Sequence, residues 1–199
     1  FMSLIQLKIL LTFLMTEYKS LETTKLFYFC IYNEIKLHYN IDRTIGGKFM
    51  LSEKTIKHIC SLSEITYDNF VFMPACQHID LADEVFIAYP GLLFVLTENQ
   101  IDKPYDTAIA DFSTENISGF WDRIIVNAKT SEEQEFIIKS YKMLAPGGIL
   151  VATVSRSSLK HIDMYSKEFQ KFIKQHNAYV EKFDDTYIIK LLKGTETHD

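Results

Sequence analysis

The chain has 199 residues, a net charge of −5, 47% hydrophobic and 14% aromatic residues, and only 7 Gly and 4 Pro. This composition excludes a disordered or collagen-like chain and supplies enough apolar surface for one core with an appendage. The excess of acid excludes a chain-wide basic footprint, so any contact with nucleic acid needs a local cluster of Lys and Arg.

The first segment, Leu4 to Met15, is apolar but interrupted by Gln6, Lys8 and Thr12. It is shorter than the ~20 residues a membrane span needs, and it lacks the basic start and small-residue cleavage site of a secretory leader. No membrane partner is expected. Leu4, Leu7, Leu10, Leu11 and Leu14 recur at helical spacing, and a second run from Leu26 to Leu37 is apolar on more than one face. The reading is an N-terminal helical extension over 1–44 and an α/β domain over 45–199. Helices this apolar must pack on the main domain or on a partner, either another protein or a second copy of the chain.

The three cysteines, Cys30, Cys60 and Cys76, are odd in number and form no CxxC pair. Neither a metal site nor a disulfide framework is indicated, and buried reduced thiols of a cytoplasmic protein are expected.

After a turn at Ile45-Gly46-Gly47-Lys48-Phe49, Ser52 is a good N-cap for a helix from Glu53 to Leu62. From Asn69 the pattern alternates between strands and helices. Strands are predicted at 69–73, 92–96, 107–110 and 122–126, with a helix from Asp80 to Tyr89 closed by Pro90-Gly91. A polar helix start at Ser131 carries Glu132, Glu133 and Glu135 in its first turns, where the helix dipole favours acids. That helix turns Phe136, Ile137, Tyr141 and Leu144 inward and is expected to end at Pro146-Gly147-Gly148. A fifth strand follows at 149–154, then a helix at 164–175 and a hairpin of 179–183 with 187–192 around Asp184-Asp185. Strands that are apolar throughout, separated by helices, predict a mostly parallel seven-stranded sheet with helices on both faces and a terminal antiparallel hairpin.

Trp121-Asp-Arg-Ile-Ile-Val-Asn127, followed by a helix and then Tyr141-Lys-Met-Leu-Ala-Pro-Gly-Gly-Ile-Leu-Val-Ala-Thr-Val-Ser155, resembles the amino-methylating DNA methyltransferases. Several members of that family are phage or plasmid adenine-N6 enzymes. Gly46 to Ser52 is similar to the family's G-Q-F-F-T-P segment before a helix, and Val71-Phe-Met-Pro74 through Asp83 sits where the first strand and cofactor loop belong. The resemblance covers about residues 45 to 192. It implies a Rossmann-like methyltransferase sheet and S-adenosylmethionine as cofactor. Pro74, Ala75 and Gln77 would then stand in the cofactor loop, with Glu98 at the ribose hydroxyls and Asp111 with Phe112 at the adenine ring. Asn127 would accept hydrogen bonds from the target amine.

Both functional loops depart from the family pattern. Where the family has an acid, then Pro and two glycines, this chain has Met73, Pro74, Gln77 and Ile79. Those glycines let the backbone approach the ligand closely, and a β-branched residue is a poor substitute. The catalytic pattern Asn-Pro-Pro-aromatic reads Asn127-Ala128-Lys129-Thr130 here. The ring that would stack on a flipped base, worth ~1–3 kcal/mol, is gone.

Each candidate also has a structural reading. Glu98 can be a solvated loop carboxylate and Asn127 a helix-capping or turn residue. Ser155-Arg156-Ser157-Ser158 can touch a phosphate or be an exposed loop. Lys48, Lys54, Lys57 and His58 can form a small basic face or simply a solvated one. Cys76 and His78 lack a convergent base or acid for nucleophilic chemistry. Two functions follow: a methyltransferase-fold protein that binds without methylating, a pseudoenzyme, or an active amino-methyltransferase on DNA adenine. A small-molecule methyltransferase is a third. Replacement concentrated in the two functional loops, with the scaffold signals intact, favours the first.

Overall fold

The computed structural model describes residues 51–195 except 75, 77–78, 90–91, 98–102, 104, 114–118, 130 and 161–163. The predicted helical extension over 1–44, its boundary with the α/β domain, and the turn at 45–49 lie outside the described residues.

Among the described residues, eleven elements run in the order α1 (Glu53–Ser63), β1 (Phe70–Met73), α2 (Ile79–Ala88), β2 (Leu92–Thr97), β3 (Asp106–Ile109), β4 (Trp121–Val126), α3 (Glu133–Lys142), β5 (Leu144–Val154), α4 (Met164–Gln175), β6 (Tyr179–Phe183) and β7 (Thr186–Leu192). The seven strands form one sheet in the order β3-β2-β1-β4-β5-β7-β6. The first five pair in parallel, and β7 runs antiparallel between β5 and β6. The predicted seven-stranded sheet with a terminal hairpin is what the chain forms.

Successive strand residues point to opposite faces, so apolar strands serve two cores at once. Phe72, Ile124, Val126, Leu150, Ala152, Ile189 and Leu191 face a cluster closed by Phe136, Ile137 and Tyr141 of α3 and Phe169 and Ile173 of α4. Val71, Met73, Ile125, Val151 and Ile188 face the other, closed by Ile56, Ile59 and Cys60 of α1 and Leu81, Ala82 and Val85 of α2. Burial pushes the Cys60 thiol up to about 12, with Glu84 adding to the effect.

Local signals set several boundaries. Ser52 caps α1 by accepting from the Thr55 backbone N–H at 3.1 Å. The two-residue turn Asp184-Asp185 places Asp184 at φ 50, a conformation an Asp tolerates. The Pro146-Gly147-Gly148 segment differs from expectation. Helix α3 stops at Lys142, and β5 already begins at Leu144, paired with Trp121 across a register shift. Gly147 has φ +77, and a Cβ on Gly148 would stand 2.8 Å from the Ala145 carbonyl oxygen. The glycines therefore form an irregular start of the strand, held by Gly147 N–H on the Lys193 carbonyl (3.0 Å) and Lys193 N–H on the Gly148 carbonyl (2.9 Å).

Helix α1 is fastened to the tip of the β6–β7 hairpin. Asp184 accepts from the hydroxyls of Ser52 (2.9 Å) and Thr55 (3.2 Å). His58 Nε2 lies 2.6 Å from Glu181 Oε1, and its ring stacks on Phe183 at 4.0 Å. Lys57 pairs with Glu53 at 2.7 Å, and Lys54 stands 3.7 Å from Asp184. The basic face considered for this helix thus meets a carboxylate at each of its described cations.

Candidate functional site

In an open parallel sheet, ligands bind beyond the carboxyl ends of the strands, where the strand order reverses. Here the chain runs outward from β1 to β2 and β3, then crosses back to β4, so the crevice opens between β1 and β4. The residues that end these strands and their neighbours are Met73, Pro74, Thr97, Asp111, Asn127 and Ser155. Cys76 is set by its backbone N–H on the Leu96 carbonyl at 3.1 Å.

Strand β1 delivers Met73 with no exposed surface into the cluster with Leu81 and Val85, and Pro74 beside it is buried. No hydrogen-bond acceptor is therefore offered by the side chain where the resemblance puts an acid. Ala75, Gln77 and Glu98 lie outside the described residues.

Asn127, just past β4, is buried. Its Nδ2 donates to Thr153 Oγ1 on β5 at 2.7 Å, and its Oδ1 has no hydrogen-bond partner. It does not cap the next helix. Glu132 is the N-cap residue of α3, and the turn before it closes on the Lys129 carbonyl, which accepts from the N–H groups of Glu132 (2.8 Å) and Glu133 (3.0 Å).

Asp111 is exposed and turned onto its own loop, its Oδ1 accepting from Ser113 N–H (2.9 Å) and Ser113 Oγ (2.7 Å). Those bonds hold its carboxyl below the usual range, with smaller help from Lys139 and Lys129. Phe112, the next residue, turns the other way. Its ring is buried edge-on between Phe72 (5.7 Å) and Phe136 (5.1 Å), with the Lys139 ammonium 4.5 Å above it. Lys139 also donates to the Phe112 carbonyl. Neighbours in sequence are here separated into a solvated acid and a core ring.

The loop after β5 closes on a carboxylate of the chain itself. Glu133, buried in the first turn of α3, accepts from the Ser155 backbone N–H (3.0 Å to each oxygen) and from the hydroxyls of Ser155 and Ser158. Ser157 joins through the Ser155 hydroxyl at 2.7 Å. The serine loop meets an internal anion, and Ser158 is buried, so this part of it is not an exposed loop. Sequence reasoning missed this pairing and that of Asn127 with Thr153. The available signal was three serines in four residues, Ser155, Ser157 and Ser158, directly after a strand.

Against S-adenosylmethionine, these residues fit in part. Asp111 and Asn127 supply polar groups at the edge, whereas Met73 supplies none. Among the described residues no group of three or more His, Cys, Asp or Glu could hold a metal ion, and no helix is long and apolar enough to cross a membrane.

No family model matches the chain, and no curated protein matches it in sequence. Its fold does have solved counterparts. A class I S-adenosylmethionine-dependent methyltransferase assigned as such provisionally in Listeria monocytogenes is similar with a TM-score of 0.60 at 12% identity, over 83% of this chain and 68% of that one. Precorrin-6y C5,15-methyltransferase from Geobacter metallireducens is similar with a TM-score of 0.58 at 16% identity, over 76% and 93%. An O-methyltransferase from Bacillus cereus, solved with S-adenosylhomocysteine, is similar with a TM-score of 0.53 at 11% identity, over 80% and 90%. At these identities the likeness concerns the fold. The described part of the chain is a Rossmann-like sheet of the class I methyltransferase type.

Proposed function

We propose that this protein is related to DNA adenine methyltransferases and acts by binding, without transferring methyl groups. The observation that carries the reading is Met73, fully buried at the end of β1 where the resemblance places an acid. A thioether in the core cannot accept the hydrogen bonds of a cationic, hydroxyl-rich ligand, and no neighbouring acceptor on β1 replaces it. Phe112 supports the same reading, because a ring packed between Phe72 and Phe136 is not offered to an adenine. S-adenosylmethionine is the ligand class this edge would take, with Asp111 and Asn127 as its remaining polar contacts, and weak affinity is expected.

A specific observation favours a second reading, an active amino-methyltransferase on DNA adenine. The Asn127 Oδ1 is buried without a partner while Nδ2 is anchored on Thr153. An orphaned buried acceptor costs about 1–3 kcal/mol unless something else uses it, and the hydrogens of an amine are one such use.

Calorimetric titration with S-adenosylmethionine and S-adenosylhomocysteine separates the two, with thermal unfolding as a cross-check. The binding-only reading expects at most weak binding, with no saturation and no appreciable stabilisation below millimolar ligand. Micromolar affinity would overturn it, and at ~100 times Kd the gain in stability would be ~2.7 kcal/mol. Loss of DNA adenine methylation on Asn127→Ala would then establish the second reading.

A further inference from the structure

Among the described residues, seven large apolar side chains are exposed, and they are not spread evenly. Four of them, Tyr67, Phe70, Phe120 and Leu192, lie at the amino ends of the parallel strands, opposite the candidate site. Tyr67 and Phe70 lead into β1, Phe120 leads into β4, and Leu192 ends the antiparallel β7 level with Ile149. Backbone bonds tie this end together. Phe70 N–H donates to Asp122 Oδ2 (2.8 Å), Trp121 N–H to the Met143 carbonyl (3.0 Å) and Gly147 N–H to the Lys193 carbonyl (3.0 Å). Phe120 is 80% exposed, Leu192 59%, Tyr67 56% and Phe70 49%. At ~200 Å² for each such residue, they present on the order of 500 Å², as much as the largest apolar patch of a typical monomer.

We propose that a second copy of this chain covers this end, as a two-fold dimer with Phe120 near the axis. The area fits: about 500 Å² of apolar surface is close to the ~65% share of a homodimer interface of ~800 Å² per partner. The charges fit as well. A chain of net charge −5 repels its own copies unless the contact zone is balanced. Here Lys190 pairs with Glu64, and Arg123 Nε donates to the Glu64 carbonyl (3.2 Å). Asp68 and Lys142, one of each sign, are exposed at this end and enter no ion pair with a described residue. The strand order places β1, preceded by Asp68, on one side of β4, and β5, preceded by Lys142, on the other. A two-fold axis through Phe120, perpendicular to the sheet, therefore sets Asp68 of each copy towards Lys142 of the other. Every such contact occurs twice. Both candidate sites stay open, at the two far ends of the pair. The proposal stands independently of the binding-only function.

Sedimentation equilibrium of the full chain over a micromolar concentration series tests the proposal, with thermal unfolding of each variant as a check on folding. The expected species has twice the mass of the chain. Phe120→Asp should weaken the dimer at least ten-fold without lowering the unfolding temperature, because the ring it removes is exposed. Asp68→Lys and Lys142→Glu should each weaken it several-fold by placing like charges opposite one another. The two exchanged together should restore most of the loss, an outcome that a merely sticky surface does not produce. Ile109→Asp, exposed at the opposite end of the sheet, should leave the dimer unchanged. A monomer throughout the series overturns the proposal and leaves this end to a different protein chain. A dimer indifferent to Phe120→Asp, or a double exchange no tighter than the single ones, overturns it too. So does equal weakening by Ile109→Asp.

Discussion

Asn127 and Thr153 join the ends of β4 and β5 through one buried hydrogen bond of 2.7 Å from the amide nitrogen to the hydroxyl oxygen. Because the bond fixes the amide by its nitrogen, the oxygen is left as the group without a partner. Removing the hydroxyl should leave both ends of the amide unpaired. Thr153→Val is expected to lower stability by about 1–3 kcal/mol in urea unfolding, and Thr153→Ser to restore most of it. Equal stability of Thr153→Val and the unaltered chain would remove the bond from the account of this edge.

Glu133 makes a second such tie, between the start of α3 and the loop after β5. Its carboxylate receives three donors from Ser155 and Ser158. In Glu133→Gln one oxygen becomes an NH₂ facing hydroxyl groups that still seek acceptors. The expected loss is about 1–3 kcal/mol, with Ser158→Ala costing less because it removes one donor and no charge. Thermal unfolding of both variants checks the order.

Phe112 offers a test of packing against ligand contact. Its ring is buried between Phe72, Phe136 and the Lys139 ammonium. Phe112→Ala should cost about 3–5 kcal/mol with no ligand present. A small loss, below ~1 kcal/mol, would mean the ring is dispensable to the core and point back to the cofactor edge.

Acid stability should depend on the clasp between α1 and the hairpin. The Ser52 hydroxyl, with Thr55 and Lys54, holds the Asp184 carboxyl below its ordinary value of 3.8. A carboxyl lowered on folding contributes stability above its unfolded value and loses it as pH falls through the folded one. Stability should therefore drop below pH 3.8, and Asp184→Asn should flatten that limb of the curve by lowering stability at neutral pH, where the contribution is fully present, while leaving strongly acid pH nearly unchanged. Glu64, lowered chiefly by its bond from Lys190, and Asp111, lowered by Ser113, act in the same direction, so part of the limb should remain.

The sequence by itself determined the described elements from Glu53 onward and their order along the chain. Apolar runs such as Ile124 to Val126 can be satisfied only with a core on both faces, and the three- and four-residue spacing in α3 and α4 fixes which side chains turn inward. The cap at Ser52 and the turn at Asp184-Asp185 act through neighbours within three residues and were legible locally, whereas the hydrogen bond between Ser52 and Asp184 was not. The extent of β5 was not, because whether Gly147 and Gly148 end a helix or begin a strand depends on Trp121 and Lys193. The edge chemistry was decided by tertiary structure for the same reason. Asn127 with Thr153, Glu133 with Ser155, and Phe112 with Phe72 meet only after strands far apart in sequence become neighbours. No local pattern states which of a loop's polar groups will find an internal partner, or which of two adjacent residues, Asp111 or Phe112, will face water.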